Sequence, residues 1–141
     1  MSERPKLTQL PGSFPIKADV ASVAAATSTE TAVWMNKTGA RVKVQSVGLV
    51  PSSAIVGDNT NSTTLSIQNK GLLGAGVVEV ASKAFVTGVG APIFDETSIT
   101  PTVTDANLYV EDGEALTLKK VDIGSGLALP KSVLNIVLRF E

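Results

Sequence analysis

The chain has 141 residues, 43% hydrophobic and 18% charged, a balance that suits one globular domain with a real core and is unlike the charged, apolar-poor signature of disorder. Its 12 basic and 13 acidic side chains leave a formal charge of -1, so no global field draws in nucleic acid or an anionic membrane, and neither partner is expected. There is no histidine and no cysteine, which removes histidine-based triads, the usual zinc sites, disulfides and thiol redox chemistry; no metal, no cofactor and no catalytic residue is expected.

Residues 1–15 open the chain as a separate region. Pro5, Pro11 and Pro15 oppose helix and sheet pairing, while Arg4, Lys6 and Lys17 make the stretch basic. Leu7, Leu10 and Phe14 are spaced apolar anchors that a solvated tail does not need. The expectation is an extended N-terminal arm over 1–17, able to reach on the order of 50 Å, followed by a single β-domain over 18–141. Arg4, Lys6, Leu7, Leu10 and Phe14 are then candidate contacts to a neighbouring protein. No apolar run approaches the roughly 20 residues of a bilayer span, and the N-terminus lacks the basic-then-apolar pattern of a signal peptide, so export is not expected. The missing cysteine fits assembly in a reducing cytoplasm.

Val, Ile and Thr together number 39, and these β-branched types suit pleated, half-buried surfaces. Turn formers recur at Lys37-Thr38-Gly39, Gly57-Asp58-Asn59, Asn69-Lys70-Gly71, Gly88-Val89-Gly90, Glu111-Asp112-Gly113 and Gly124-Ser125-Gly126. Between them the pattern predicts strands over 19–25, 31–36, 41–50, 63–69, 77–85, 107–110, 115–121 and 133–140, with a weaker signal over 93–100. Eight or nine short strands make the fold class all-β: a single antiparallel β-sandwich or jelly-roll-like domain. In the third strand Arg41, Lys43 and Gln45 alternate with Val42 and Val44, and the pattern inverts at Val47 and Leu49, which predicts a bulge near Ser46. Leu65 and Ile67, and likewise Leu116 and Leu118, alternate with polar neighbours. In the last strand Leu134, Ile136, Leu138 and Phe140 share one face and Val133 and Val137 lie on the other, which places it centrally or at an interface. Trp34 is the one tryptophan, either a core plug or an interface anchor, and joins the candidate contacts.

Motifs with chemical content are sparse. Asp58-Asn59-Thr60-Asn61 clusters oxygen-bearing side chains but lacks the glycine and closing glutamate of a calcium loop, so a plain turn is expected. Asp95-Glu96 and Glu111-Asp112-Glu114 would make a glycosidase pair only if the fold set two carboxyl groups about 5–9 Å apart; solvated acids beside turns are the expectation. The Gly-x-Gly steps lack the strand-to-helix context of phosphate loops and read as turns.

Seven short stretches resemble small structural proteins of tailed-bacteriophage heads: Ala18-Asp19-Val20, VGLVP at 47–51, AIVGDNTN at 54–61, LSIQNKG at 65–71, FDET at 94–97, ANL at 106–108 and GSGLALP at 124–130. The chain is most similar in size and character to the head-decoration, or capsid cement, proteins. That resemblance implies a non-enzymatic virion protein that binds the outside of a capsid and stabilises it, with the major capsid protein as partner. It further implies a homo-oligomer, a trimer above all, that passes through the host cytoplasm during assembly. The arm over 1–17 lies outside the matched stretches. Other readings are another virion part, such as a head fibre, neck or tail β-sandwich, and a host- or carbohydrate-binding module, for which an aromatic content of 4% is low.

Overall fold

The structure, a computed structural model, describes residues 12–141. Ten strands follow one another: β1 Ser13–Val20, β2 Thr29–Met35, β3 Val42–Pro51, β4 Thr63–Asn69, β5 Val78–Phe85, β6 Thr97–Ser98, β7 Thr100–Pro101, β8 Tyr109–Val110, β9 Ala115–Asp122 and β10 Ser132–Phe140. They form two antiparallel sheets, β1-β10-β3 with β6 and β8 both on the far edge of β3, and β2-β9-β4-β5-β7. The chain passes from one sheet to the other at nearly every connection, and its first and last long strands are neighbours. This is the jelly-roll order, within the all-β sandwich the composition predicts.

The core lies between the sheets, where alternation puts it. Val42, Val44, Val47 and Leu49 of β3 and Leu134, Ile136 and Leu138 of β10 meet Leu65 and Ile67 of β4 and Leu116 and Leu118 of β9, all buried. β10 lies centrally, between β1 and β3; Leu134, Ile136 and Leu138 face the core, while Val133 and Val137 on the outer face are half-buried. The bulge in β3 is present: Val137 faces Ser46 and Leu138 faces Val44, so Gln45 is the extra residue and the inward set is kept on both sides of it.

Two expectations change. The first strand is β1, not 19–25; residues 21–28 are a loop, and the stretch from Ser13 to Lys17, read as arm, pairs with β10 from Ser13↔Arg139 to Lys17↔Asn135. Pro15 does not prevent this. The Phe140 N–H donates to Gly12 O at 2.9 Å, which makes the even-numbered residues of β1 the hydrogen-bonded positions and turns the Pro15 nitrogen to the open edge, where no donor is needed. Phe14, Ile16, Ala18 and Val20 point inward as a result. Second, the segment over 93–100 is a split strand: β6 pairs with β3 in one sheet and β7 with β5 in the other. Between them Ile99 is fully buried and donates its N–H to Val47 O, closing that flank of the sandwich.

Candidate interaction surfaces

Four loops, 21–28, 52–62, 86–96 and 123–131, gather at one end of the sandwich, and their own polar side chains bind them to one another. Asn59 and Thr87 exchange two hydrogen bonds of 3.0 Å, Ser125 N–H donates to Asn61 Oδ1 at 2.9 Å, and Ile55 and Ala91 pair through their backbones. Asp58 Oδ1 accepts from the N–H groups of Thr60 and Asn61, which holds its carboxyl below the ordinary value, Asn61 first. The expected plain turn is what this side chain builds. A Cβ on Gly57 would overlap the carbonyl oxygens of Val86 and Val89, and one on Gly90 that of Ile55, so these loops touch through bare backbone. On this rigid crown Val56 (77% exposed), Ile93, Phe94 (73%) and Ile123 face solvent. Phe94 also has a φ of 55°, a left-handed conformation that costs a bulky residue on the order of 1–3 kcal/mol. Its N–H donates to Pro51 O at 2.9 Å, and its ring borders a concavity of about 270 Å³ with Asp19, Val50, Lys131 and Val133.

Beneath the crown lies a buried charge. Lys120 is 1% exposed and its Nζ donates to both carboxylate oxygens of Asp122 at 2.8 Å, to Thr27 O at 2.8 Å and to Ala24 O at 3.3 Å. The Thr63 hydroxyl donates to the same carboxylate. The ammonium thereby ties loop 21–28 to β9.

The opposite end carries a polar groove of about 560 Å³ lined by Arg41, Asn69, Asp105, Asn107, Tyr109 and Glu114, among others. Most of its groups are already committed to one another. Arg41 stacks over the Tyr109 ring at 3.9 Å and pairs with Glu111; Lys43 pairs with Asp105; Asn69 Nδ2 and the Glu111 N–H both donate to Glu114 Oε1. The Lys43 ammonium holds the Asp105 carboxyl below its ordinary value, and that hydrogen bond in turn raises Lys43.

Of the candidate contacts, Arg4, Lys6, Leu7 and Leu10 lie outside the described residues. Phe14 and Trp34 are brought together: Phe14 on β1 and Trp34 on β2 belong to different sheets, and their ring centroids stand 6.4 Å apart across the open flank, with Phe140 5.0 Å from Phe14. Both are half-buried, so Trp34 plugs the flank and still shows part of its ring. The two acid groups are not brought to each other, although within the second Glu111 and Glu114 line one groove together with Asp105. Glu96 borders β6 at the Leu49 end of β3 and Glu111 follows β8 at its Val42 end, about 20 Å away along the strand. Asp95 accepts from the neighbouring Glu96 N–H, Glu96 from Asn135 on β10, and Asp112 from the Gly39 N–H. Among the described residues no group of three or more acids could hold a metal ion.

No protein-family model matches the chain, and no curated protein matches it. Among solved structures, a similar chain is found in the structure of the infectious bursal disease virus Gx strain, with a TM-score of 0.46 and 11% identity over 91% of this chain and 32% of that one. The chain spans about a third of that chain's length.

Lys120 and the crown's exposed apolar residues were not singled out by sequence. For Lys120 the signal was present: Leu116, Leu118 and Lys120 fall on one face of β9, so alternation alone turns the lysine inward. For Val56 and Ile123 no local pattern marks exposure, because which loops meet is decided by the topology.

Proposed function

We propose that the chain is a virion structural protein, specifically a non-enzymatic decoration protein that binds the exterior of a bacteriophage capsid through its loop crown. The observation that carries this reading is where the resembling stretches fall. Scattered from 18 to 130 in sequence, five of the seven (18–20, 47–51, 54–61, 94–97 and 124–130) converge on the crown end, at strand ends and in the cross-tied loops. What resembles the decoration proteins is therefore a surface, and a rigid apolar one. Binding a preordered surface costs little loop ordering, and a ligand that binds only the assembled shell stabilises it by mass action.

Phe94 is the anchor assigned to that contact: an exposed ring held on a strained backbone beside a concavity. Adding purified protein to capsids that lack it, and following their heat resistance, tests the reading. Full-length protein is expected to add and to raise the disruption temperature, and Phe94→Ser to weaken addition by about tenfold or more while leaving the fold intact. Capsids that gain neither mass nor heat resistance would overturn the reading, and addition untouched by Phe94→Ser would remove the crown from it. A sugar-binding module would use the polar groove at the other end, but there the Tyr109 ring face is taken by Arg41 at 3.9 Å.

A further inference from the structure

We propose that β1 is an exchangeable strand, which leaves β10 together with the loop 21–28 and gives its place to β1 of a second copy, with the buried Lys120 ammonium as the latch against that exchange. The fold itself describes both the slot and what fills it. β1 lies at the end of its sheet and is hydrogen-bonded on one side only, to β10. Phe14, Ile16 and Ala18 point inward yet stay half-buried, so β1 is held less firmly than β3, β4 or β10, whose inward residues are fully buried. Every copy carries the same eight residues in the same register. A second copy's β1 therefore makes the same bonds to β10 and seats Phe14 against the same Trp34. Those contacts cancel between the closed and exchanged forms, and the hinge decides between them. Two features of 21–28 pull in opposite directions. Ala26 is held at a φ of 60°, a left-handed conformation that a residue with a Cβ escapes when the loop extends. Against that, Lys120 Nζ donates to Ala24 O at 3.3 Å and to Thr27 O at 2.8 Å, Val23 and Leu129 exchange two backbone bonds of 2.8 Å, and the Asp122 N–H donates to Ser28 Oγ at 3.4 Å. Packing adds little, since seven of the eight loop residues are exposed and Val23 is half-buried. Extended, the loop spans about 26 Å, enough to carry β1 to a copy at its side. Exchange needs no capsid, so it and the attachment proposed above fail separately.

Because the chain has no cysteine, engineered thiols report the exchange directly. Lys17 faces Asn135 at a position outside the hydrogen-bonded pairs, where Cα atoms stand about 4.5 Å apart, within disulfide range. One full-length protein carries Lys17→Cys and another Asn135→Cys. Mixed at high concentration and mildly oxidised, they bring the two thiols into register only where β1 of one chain lies on β10 of the other. A disulfide-linked heterodimer is expected well above the level given by Lys17→Cys mixed with Lys37→Cys, which meet by collision alone. With Lys120→Met in both chains it should form about tenfold faster or more. Leu65→Ala, a core change that also lowers the melting temperature, should speed it far less, which separates a latch from general loss of stability. At the exposed Ala26, a change to Val should hasten exchange and a change to Gly slow it, each by roughly fivefold. No heterodimer above the collision control would overturn the inference, and so would a rate that Lys120→Met leaves unchanged or that Leu65→Ala raises as much. If melts show that Lys120→Met does not fold, the two Ala26 variants decide, and the absence of opposite shifts overturns it.

Discussion

Lys120 sets the terms at the scale of single residues. Its ammonium has two carbonyl oxygens and a carboxylate around it and no access to water, so truncation leaves Asp122 buried and unpaired. Lys120→Ala is expected to lower the unfolding free energy by about 3–5 kcal/mol, against less than about 0.5 kcal/mol for Lys119→Ala on the outer face, both read as urea midpoints at constant slope. Equal effects from the two lysines would show that the buried pair does not hold loop 21–28. The acids set the pH response. Hydrogen bonds hold Asp58, Asp105 and Glu30 below their ordinary values, from backbone N–H groups, from Lys43 and from Thr117 respectively. A carboxyl whose folded pKa is depressed contributes stability above its unfolded value, near 4, and loses it as pH falls through the lower folded one. Melting temperature should therefore hold level from neutrality to about pH 5 and fall below about pH 4. No side chain here has an ordinary pKa near neutrality, because histidine is absent. Replacing Asp58 by Ala should shallow the acid limb, and an unchanged limb would assign the acid sensitivity to other carboxylates.

At the scale of elements, the boundary between arm and domain is the sharpest prediction. Removing residues 1–11 should leave the melting temperature of the β-domain unchanged, because β1 begins at Ser13. Removing 1–17 takes away the inward-facing Phe14 and Ile16 and should destabilise by several kcal/mol, at roughly 1.5–3 kcal/mol for each apolar side chain lost from the interior. Calorimetry on the two truncations decides it: equal melts would return residues 13–17 to the arm. That five-residue difference shows where sequence reading stops. Alternation places the strand faces and a bulge near Ser46, one residue from the Gln45 that the register leaves unpaired, since both follow from a period of two. Pro15 reads as a strand breaker because the sequence does not say which strand lies on an edge, nor which edge positions lack a hydrogen-bond partner. Ile99 is hidden for a related reason. Its strand fragments are two residues each, too short for any period, and its burial comes from two sheets meeting over it.

At the scale of the whole molecule, the surfaces proposed to act are those assembled from distant stretches. Phe14 and Trp34 meet across the flank although 20 residues separate them, and the crown joins loops that start 34 and 37 residues apart (52, 86 and 123). Residue types suggested anchors; only the jelly-roll connectivity says which anchors share a surface. The same connectivity brings the first and last long strands together. β10 and β1 form a hairpin without its turn, paired from Phe140 and Gly12 inward, so both strand ends leave the domain at one corner, remote from the crown. Tension applied between those two ends loads the strand pair like a zipper, parting one hydrogen-bonded couple at a time, and peels β1 away at low force. Tension applied instead between the crown and the opposite pole pulls along the strands and loads the ladders of both sheets together in shear. If the crown is the part held by a shell, the domain is built to be mechanically strong along its length and soft only at the corner where the chain enters and leaves.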